Sequence, residues 1–187
     1  MSRHASATAR ARVTTGLVIG LGGFIILLAT ACSPRLNWRD VRADATGLHA
    51  QLPCRPSTHA RKVELGGSAR EMTLLSCSAG DATWALAWVA GVDATQLAGV
   101  MSDWRRRALA NVNAGVAAPV VYEVAGATPN LQAGRWRAAG RRPDGSSLVQ
   151  EVAVFSRGTT VFQATMLAGR PDAAAADHFF GALRFPP

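Results

Sequence analysis

Lysine is almost missing from this sequence: 19 of its 20 basic residues are arginine, and only Lys62 is lysine. Charged residues of either sign make up 17% of the chain, below the usual quarter, which excludes highly charged disordered chains and long coiled coils. The 18 glycines and 9 prolines follow no triplet period, so collagen-like structure is excluded too. There is no G-x-S-x-G elbow, phosphate loop, H-E-x-x-H helix or C-x-x-C pair in the part beyond residue 31, so no local signature of those chemistries exists. What is present is apolar. With 49% hydrophobic residues over 187 positions, the chain is long enough and greasy enough for one domain with a true core.

The net charge of +8 changes meaning when divided along the chain. Residues 1–31 hold Arg3, Arg10 and Arg12 and no acid, and from Cys32 onward 17 basic residues face 12 acidic ones. The arginine bias, beside abundant alanine and glycine, fits base composition better than a phosphate-binding surface. No stacking platform of aromatic and basic residues accompanies it, so a nucleic-acid partner is not expected.

The amino-terminal stretch has the grammar of an export signal. A basic head, MSRHASATARAR, is followed by the apolar run VTTGLVIGLGGFIILLATA, from Val13 to Ala31, and then by Cys32, Ser33 and Pro34. Leu28-Ala29-Thr30-Ala31-Cys32 resembles the bacterial lipoprotein box, with Ala29 where leucine is commoner. That resemblance implies a signal peptide over 1–31, lipidation of Cys32, and attachment to a lipid bilayer through acyl chains at ~0.8 kcal/mol per buried CH₂. Ser33 at the second mature position implies, by the same resemblance, sorting to the periplasmic face of the outer membrane. The alternative is an uncleaved single-pass anchor in the inner membrane. Nineteen apolar residues span about 28 Å, close to a hydrocarbon core, and Arg10 and Arg12 would stay cytoplasmic. Either reading exports the rest of the chain, where Cys54 and Cys77 are expected to pair. With 22 residues between them, loop entropy makes that bridge worth about 3.5 kcal/mol. A two-cysteine metal site is the rival, without nearby histidine ligands to complete it.

Residues 32–47 read as a polar tether and 48–187 as one exported domain. Alternating or two-faced apolar stretches predict strands at 48–52, 60–65, 71–79, 83–91, 119–124, 134–142, 147–157 and 159–167, the last two joined as a hairpin at Arg157-Gly158. Trp84, Leu86 and Trp88 share one face of their strand and Ala85, Ala87 and Val89 the other, so that strand is expected to be covered on both sides. Asp93 with Gln96 has capping-box spacing before a helix whose Leu97, Val100, Met101, Trp104, Ala108 and Val112 form an apolar stripe. That stripe is expected to pack on the sheet with Trp104 near Trp84 or Trp88. Arg105-Arg106-Arg107 reads as a solvated face. A closing helix from Asp172 to about Leu183 should turn Ala175, His178, Phe179 and Ala182 inward.

The fold class is therefore α+β, a mostly antiparallel sheet with two main helices packed on it. GLHAQLPCRP (47–56), the glycine-punctuated strands to Val89, the helix from Asp93 and VFQATMLAGRPDAAAADHFFGALRF (161–185) together resemble the PsbP-like fold. The resemblance implies an exported, membrane-attached accessory or binding module that is not an enzyme and needs no cofactor, with an envelope protein as a possible partner. It carries over no site residue. The competing reading is a periplasmic enzyme with a site assembled from His59, His178 and Asp177. Asp81, Asp93 and Asp103 read as a turn, a cap and a helix surface, His59 as a loop residue, and Trp136 between Arg135 and Arg137 either as a place where an aromatic or anionic ligand would stack or as ordinary alternating exposure on a strand.

Overall fold

The computed structural model describes residues 35–43 and 46–187. The lipoprotein box and Cys32 lie outside the described residues. Strands β1 (Arg39–Ala43) and β2 (Leu48–Leu52) form an antiparallel hairpin. Seven more make one sheet: β3 (Ser57–Leu65), β4 (Ser68–Ala79), β5 (Ala82–Val89), β6 (Ala118–Val120), β7 (Gly134–Arg141), β8 (Ser147–Arg157) and β9 (Thr160–Ala168). Their order is β3-β4-β5-β9-β8-β7-β6, and every neighbouring pair is antiparallel. Helix α1 (Leu97–Ala110) joins β5 to β6, and α2 (Ala173–Gly181) follows β9. The α+β class is thus as the sequence implies.

The central strands are apolar on both faces, and each face has its own cover. On one side Trp84, Leu86, Phe155, Phe162 and Met166 meet Leu48 and Leu52 of the hairpin and Phe179 and Phe180 of α2. On the other, Ala87, Val89, Val152, Val154 and Val161 meet Val100, Met101 and Trp104 of α1. The stripe of α1 is buried as expected, but the expected neighbourhood of Trp104 is wrong. Trp84 and Trp88 point into the opposite layer. Period-two alternation decides this: a helix with bulky knobs sits on the strand face made of small residues, while the tryptophans of β5 fill the aromatic layer under α2.

Four other expectations are corrected. The tether expected over 32–47 is not free chain from Leu36 to Ala43, because Leu36, Trp38 and Val41 pack against the core and 39–43 pair with β2. The apolar positions recur there among arginines, and only pairing with β2 makes their alternation visible. The strand expected over 119–124 is β6 alone, three residues long. Asp93 does not cap α1; its carboxylate accepts from Thr95 N at 2.8 Å in a local turn, and Gln96, at the N-cap, makes no side-chain cap bond. His178 does not face the core; α2 buries Ala175, Ala176, Phe179 and Phe180 instead, and Asp172 caps it by accepting from Ala175 N at 3.1 Å.

Cys54 and Cys77 form a disulfide with their Cα atoms 5.9 Å apart, inside the range such bridges need. It ties the connection after the hairpin to β4, so one cover of the sheet is covalently stapled to it.

Asp103 is no surface residue. It is 9% exposed and reaches across to the β3–β4 turn, where Oδ2 accepts from Gly66 N at 3.0 Å. Gly66 and Gly67 have φ of +61° and +78°, the left-handed pair that a two-residue hairpin turn requires. A Cβ on Gly66 would stand 2.6 Å from Val100 Cγ2, so turn and helix touch directly. Arg107 Nε donates to Asp103 Oδ2 at 2.9 Å, and Arg106 also pairs with the carboxylate. Burial disfavours the charged form, but the Gly66 N–H and the two guanidiniums outweigh it and hold the carboxyl below the usual carboxylate range. A lowered folded-state value means that Asp103 stabilises the fold fully above the unfolded value of about 3.9 and loses that contribution as pH falls through the folded value. Asp103→Asn should therefore cost about 1–3 kcal/mol at neutral pH by removing charge-assisted bonds. Urea unfolding should show the gap between wild type and variant constant from pH 7 to about 5 and shrinking below about 4.

Candidate functional site

Past β6 the chain leaves the sheet and runs as an irregular segment from Val121 to Ala133 before entering β7. It is held at several points. Ala125 O accepts from Phe185 N at 2.9 Å, Thr128 N donates to Ser156 O at 2.7 Å, and Thr128 Oγ1 accepts from Gly158 N at 3.0 Å. Gly126 has φ of +76°, and a Cβ there would meet Phe185 O at 2.9 Å, so only glycine lets the segment lie against the chain's end. The segment and Phe155 line a cleft of about 490 Å³, with Tyr122, Val124, Ala133 and Phe155 among its apolar members and Glu123, Thr128 and Asn130 supplying polar groups. Leu131, on its lining, is fully exposed, as is nearby Val121. A mostly apolar, preformed cleft with a few polar groups is the form that binding sites take.

Beside the cleft, and reaching it only through Tyr122 and Gly134, is a wall built on a buried charge. Arg135 of β7 and Glu151 of β8 are 7% and 2% exposed. Arg135 sits opposite Ala153 and Arg137 opposite Glu151, so the pair meets on the diagonal. Glu151 Oε2 accepts from Arg135 Nε at 2.8 Å and from Nη2; its Oε1 is 3.6 Å from Arg137 Nη1. Arg135 Nη1 donates to Asp177 Oδ1 of α2 at 3.0 Å, and its guanidinium lies 4.2 Å from the Phe180 ring centre. Tyr122 completes the wall. Its hydroxyl donates to Phe180 O at 3.1 Å and its ring meets Phe180 edge-on. Burial pushes the Tyr122 phenol well above its ordinary value, with the Arg135 charge offsetting only part of that, so it remains a donor through the neutral range.

The residues singled out from sequence go to separate places. His59 lies on the edge strand β3, not in a loop, with Nε2 at 3.1 Å from Ser57 Oγ. His178 Nε2 donates to Gln51 Oε1 at 2.7 Å under the Trp38 ring, and Asp177 belongs to the Arg135 pair. These three share no partner. Trp136 faces α1, with the Arg105 guanidinium 4.5 Å from its ring; Arg135 and Arg137 point to the other layer, so no three-residue stacking site forms. Among the described residues no cluster of three or more His, Cys, Asp or Glu side chains is arranged to hold a metal ion. Asp81 is in a turn, as expected. Sequence reasoning missed Arg135, Glu151 and Tyr122. The available signal was Glu151, the one acid in the mostly apolar run SLVQEVAVFSR, since a charge buried in such a strand needs a partner.

No protein-family model matches the chain, and no curated protein matches it either.

The wall yields a stability prediction. Arg135→Ala leaves Glu151 buried with only the half-exposed Arg137 at 3.6 Å and should cost about 3–5 kcal/mol in urea unfolding at neutral pH. Arg135→Met combined with Glu151→Leu removes both charges and should recover most of that loss.

Proposed function

We propose that this chain is an envelope lipoprotein whose exported α+β domain, PsbP-like in arrangement, serves as a non-catalytic accessory or binding module. The box Leu28-Ala29-Thr30-Ala31-Cys32 carries the reading. Cysteine usage supports it: Cys54 and Cys77 occupy each other, as suits an oxidising compartment, and Cys32 is left as the cysteine with a separate task. Signal removal at Cys32 and lipid on its thiol hold the domain to the bilayer, at the outer membrane by virtue of Ser33. The cleft under residues 121–133 is the surface offered to an envelope partner. Its pinned segment costs little ordering on binding, and its exposed rim leucine and valine supply apolar contact.

Cells fed labelled palmitate should incorporate it into the wild-type protein and not into Cys32→Ser. Label that survives the substitution overturns the lipoprotein reading, and a mature protein that keeps Met1 replaces it with a single-pass anchor.

A further inference from the structure

We infer that the free edge of β3 is a self-association surface, on which a second copy of this chain adds its own β3 antiparallel about a twofold axis through Val63. The two edges of the sheet differ. β6 is three residues long with Pro119 at its centre, an ordinary way to blunt an edge. β3 is nine residues long, pairs with β4 in unbroken register from Ser57 to Leu65, and is exposed at every residue except Val63 and Leu65. Among the described residues no backbone group bonds its outer side. Which groups stand there follows from the turn. Gly66-Gly67 is a two-residue connection, so Leu65 and Ser68 form the hydrogen-bonded pair that closes it. Alternation along the ladder then aims the N–H and C=O of Lys62 and Glu64 away from β4.

The residues of the edge select both the partner and the register. Charges on an edge strand ordinarily keep other strands off; here their order makes the strand complementary to itself. A twofold axis perpendicular to the sheet leaves each face on its own side. Val63 and Leu65 pack with the α1 cluster, so Arg61, Val63 and Leu65 can oppose only one another, and Ala60, Lys62 and Glu64 likewise. Centring the pair on Arg61, Lys62 or Glu64 sets that charge against its own copy. Centring it on His59 or Ala60 brings no unlike charges together. Centring it on Val63 sets Lys62 against Glu64 of the copy and Glu64 against Lys62, with Val63 against Val63 and Arg61 against Leu65 on the other face. In its own chain Glu64 lies opposite Ala69 and Lys62 opposite Glu71, and neither is in an ion pair among the described residues. The free backbone groups and the unlike charges therefore fall on the same residues, twice over, which is the self-complementarity that a twofold contact requires.

The test is sedimentation equilibrium of the full chain as cells make it, in detergent, together with oxidative crosslinking of cysteine variants. The wild type should dimerise. Glu64→Lys, which faces only Ala69 in its own chain, should keep the wild-type urea midpoint and weaken the dimer about ten-fold or more. Lys62→Glu should weaken it as well. A mixture of the two variants should restore a mixed dimer, because every acid of one copy then faces a lysine of the other, a result that no loss of folding can mimic. Val63→Cys should crosslink to itself, since residues facing across such a pair have Cα atoms about 4.5 Å apart, within reach of a disulfide. Arg61→Cys should not. A chain that stays monomeric throughout the concentration range overturns the proposal. So does a dimer that Glu64→Lys leaves unchanged, as association through residues 1–31 would be. Variants that fail to complement each other overturn it too, as does crosslinking at Arg61→Cys in place of Val63→Cys or an edge that takes only a different protein.

Discussion

Strands β5, β8 and β9 are apolar on both faces, and the rest of the structure answers that constraint. A sheet exposed on either side would leave Phe155 and Phe162, or Val152 and Val154, in water; at ~25 cal/mol per Å² each uncovered large side chain forfeits about 2 kcal/mol or more. One helix cannot cover both sides. The chain therefore places α1 between β5 and β6 on one face and brings its two ends, the β1–β2 hairpin and α2, together on the other. The bridge of Cys54 to Cys77 holds one of those ends where it must be. His49 and Arg184, paired through their backbones at 2.9 and 3.1 Å, hold the hairpin to the segment after α2.

Within that frame the Arg135–Glu151 pair is an expensive choice. Desolvating two charges costs several kcal/mol per ion, and attraction between them returns it only with good geometry and further bonds. The further bonds are there: Arg137 on the free oxygen of Glu151, Asp177 on the free nitrogen of Arg135, and the Phe180 ring against the guanidinium. What a pair of leucines would not supply is direction. Arg135 reaches one strand and one helix at once, and Tyr122 bonds that same helix at Phe180. Together they fix the rotation of α2 over the sheet, and the same contact holds Tyr122, which lines the cleft.

The parts of this fold that are legible in the sequence are those governed by a single period. SLVQEVAVFSR and the stretch after Gly158 announce themselves as a hairpin, and the stripe from Leu97 to Val112 as a buried helix face, because the pattern and the structure obey the same geometry. Which side of the sheet the helix takes is not written in either period. It follows from a comparison of volumes across β5, where Ala87 and Val89 leave room that Trp84 does not. Asp103 and β1 were hidden for a related reason. A carboxylate on a helix looks solvated until its acceptor role at a turn 37 residues away is seen, and RDVRA looks like linker until β2 pairs with it. The cleft was illegible because its segment has no period at all; Gly126 and Tyr122 acquire meaning only against Phe185 and Phe180.

The loss of the tether also bears on what the module can reach. A lipoprotein with fifteen free residues before its domain could search tens of ångströms from the bilayer, and orientation would matter little. With only Ser33 and Pro34 between Cys32 and Arg35, anchoring at Cys32, as proposed above, would make the two ends of the sheet inequivalent. The cleft lies at the end away from Arg35, because Phe155 and the Thr128–Ser156 bridge belong to the β8–β9 turn side, opposite Ala82 and Ala168. At about 3.4 Å per residue, the eight residues of β5 separate the two ends of the sheet by some 27 Å. On the proposed lipoprotein reading, a partner seated in the cleft would be met at the end of the domain away from its attachment, where Tyr122 and Leu131 line the surface it must fit.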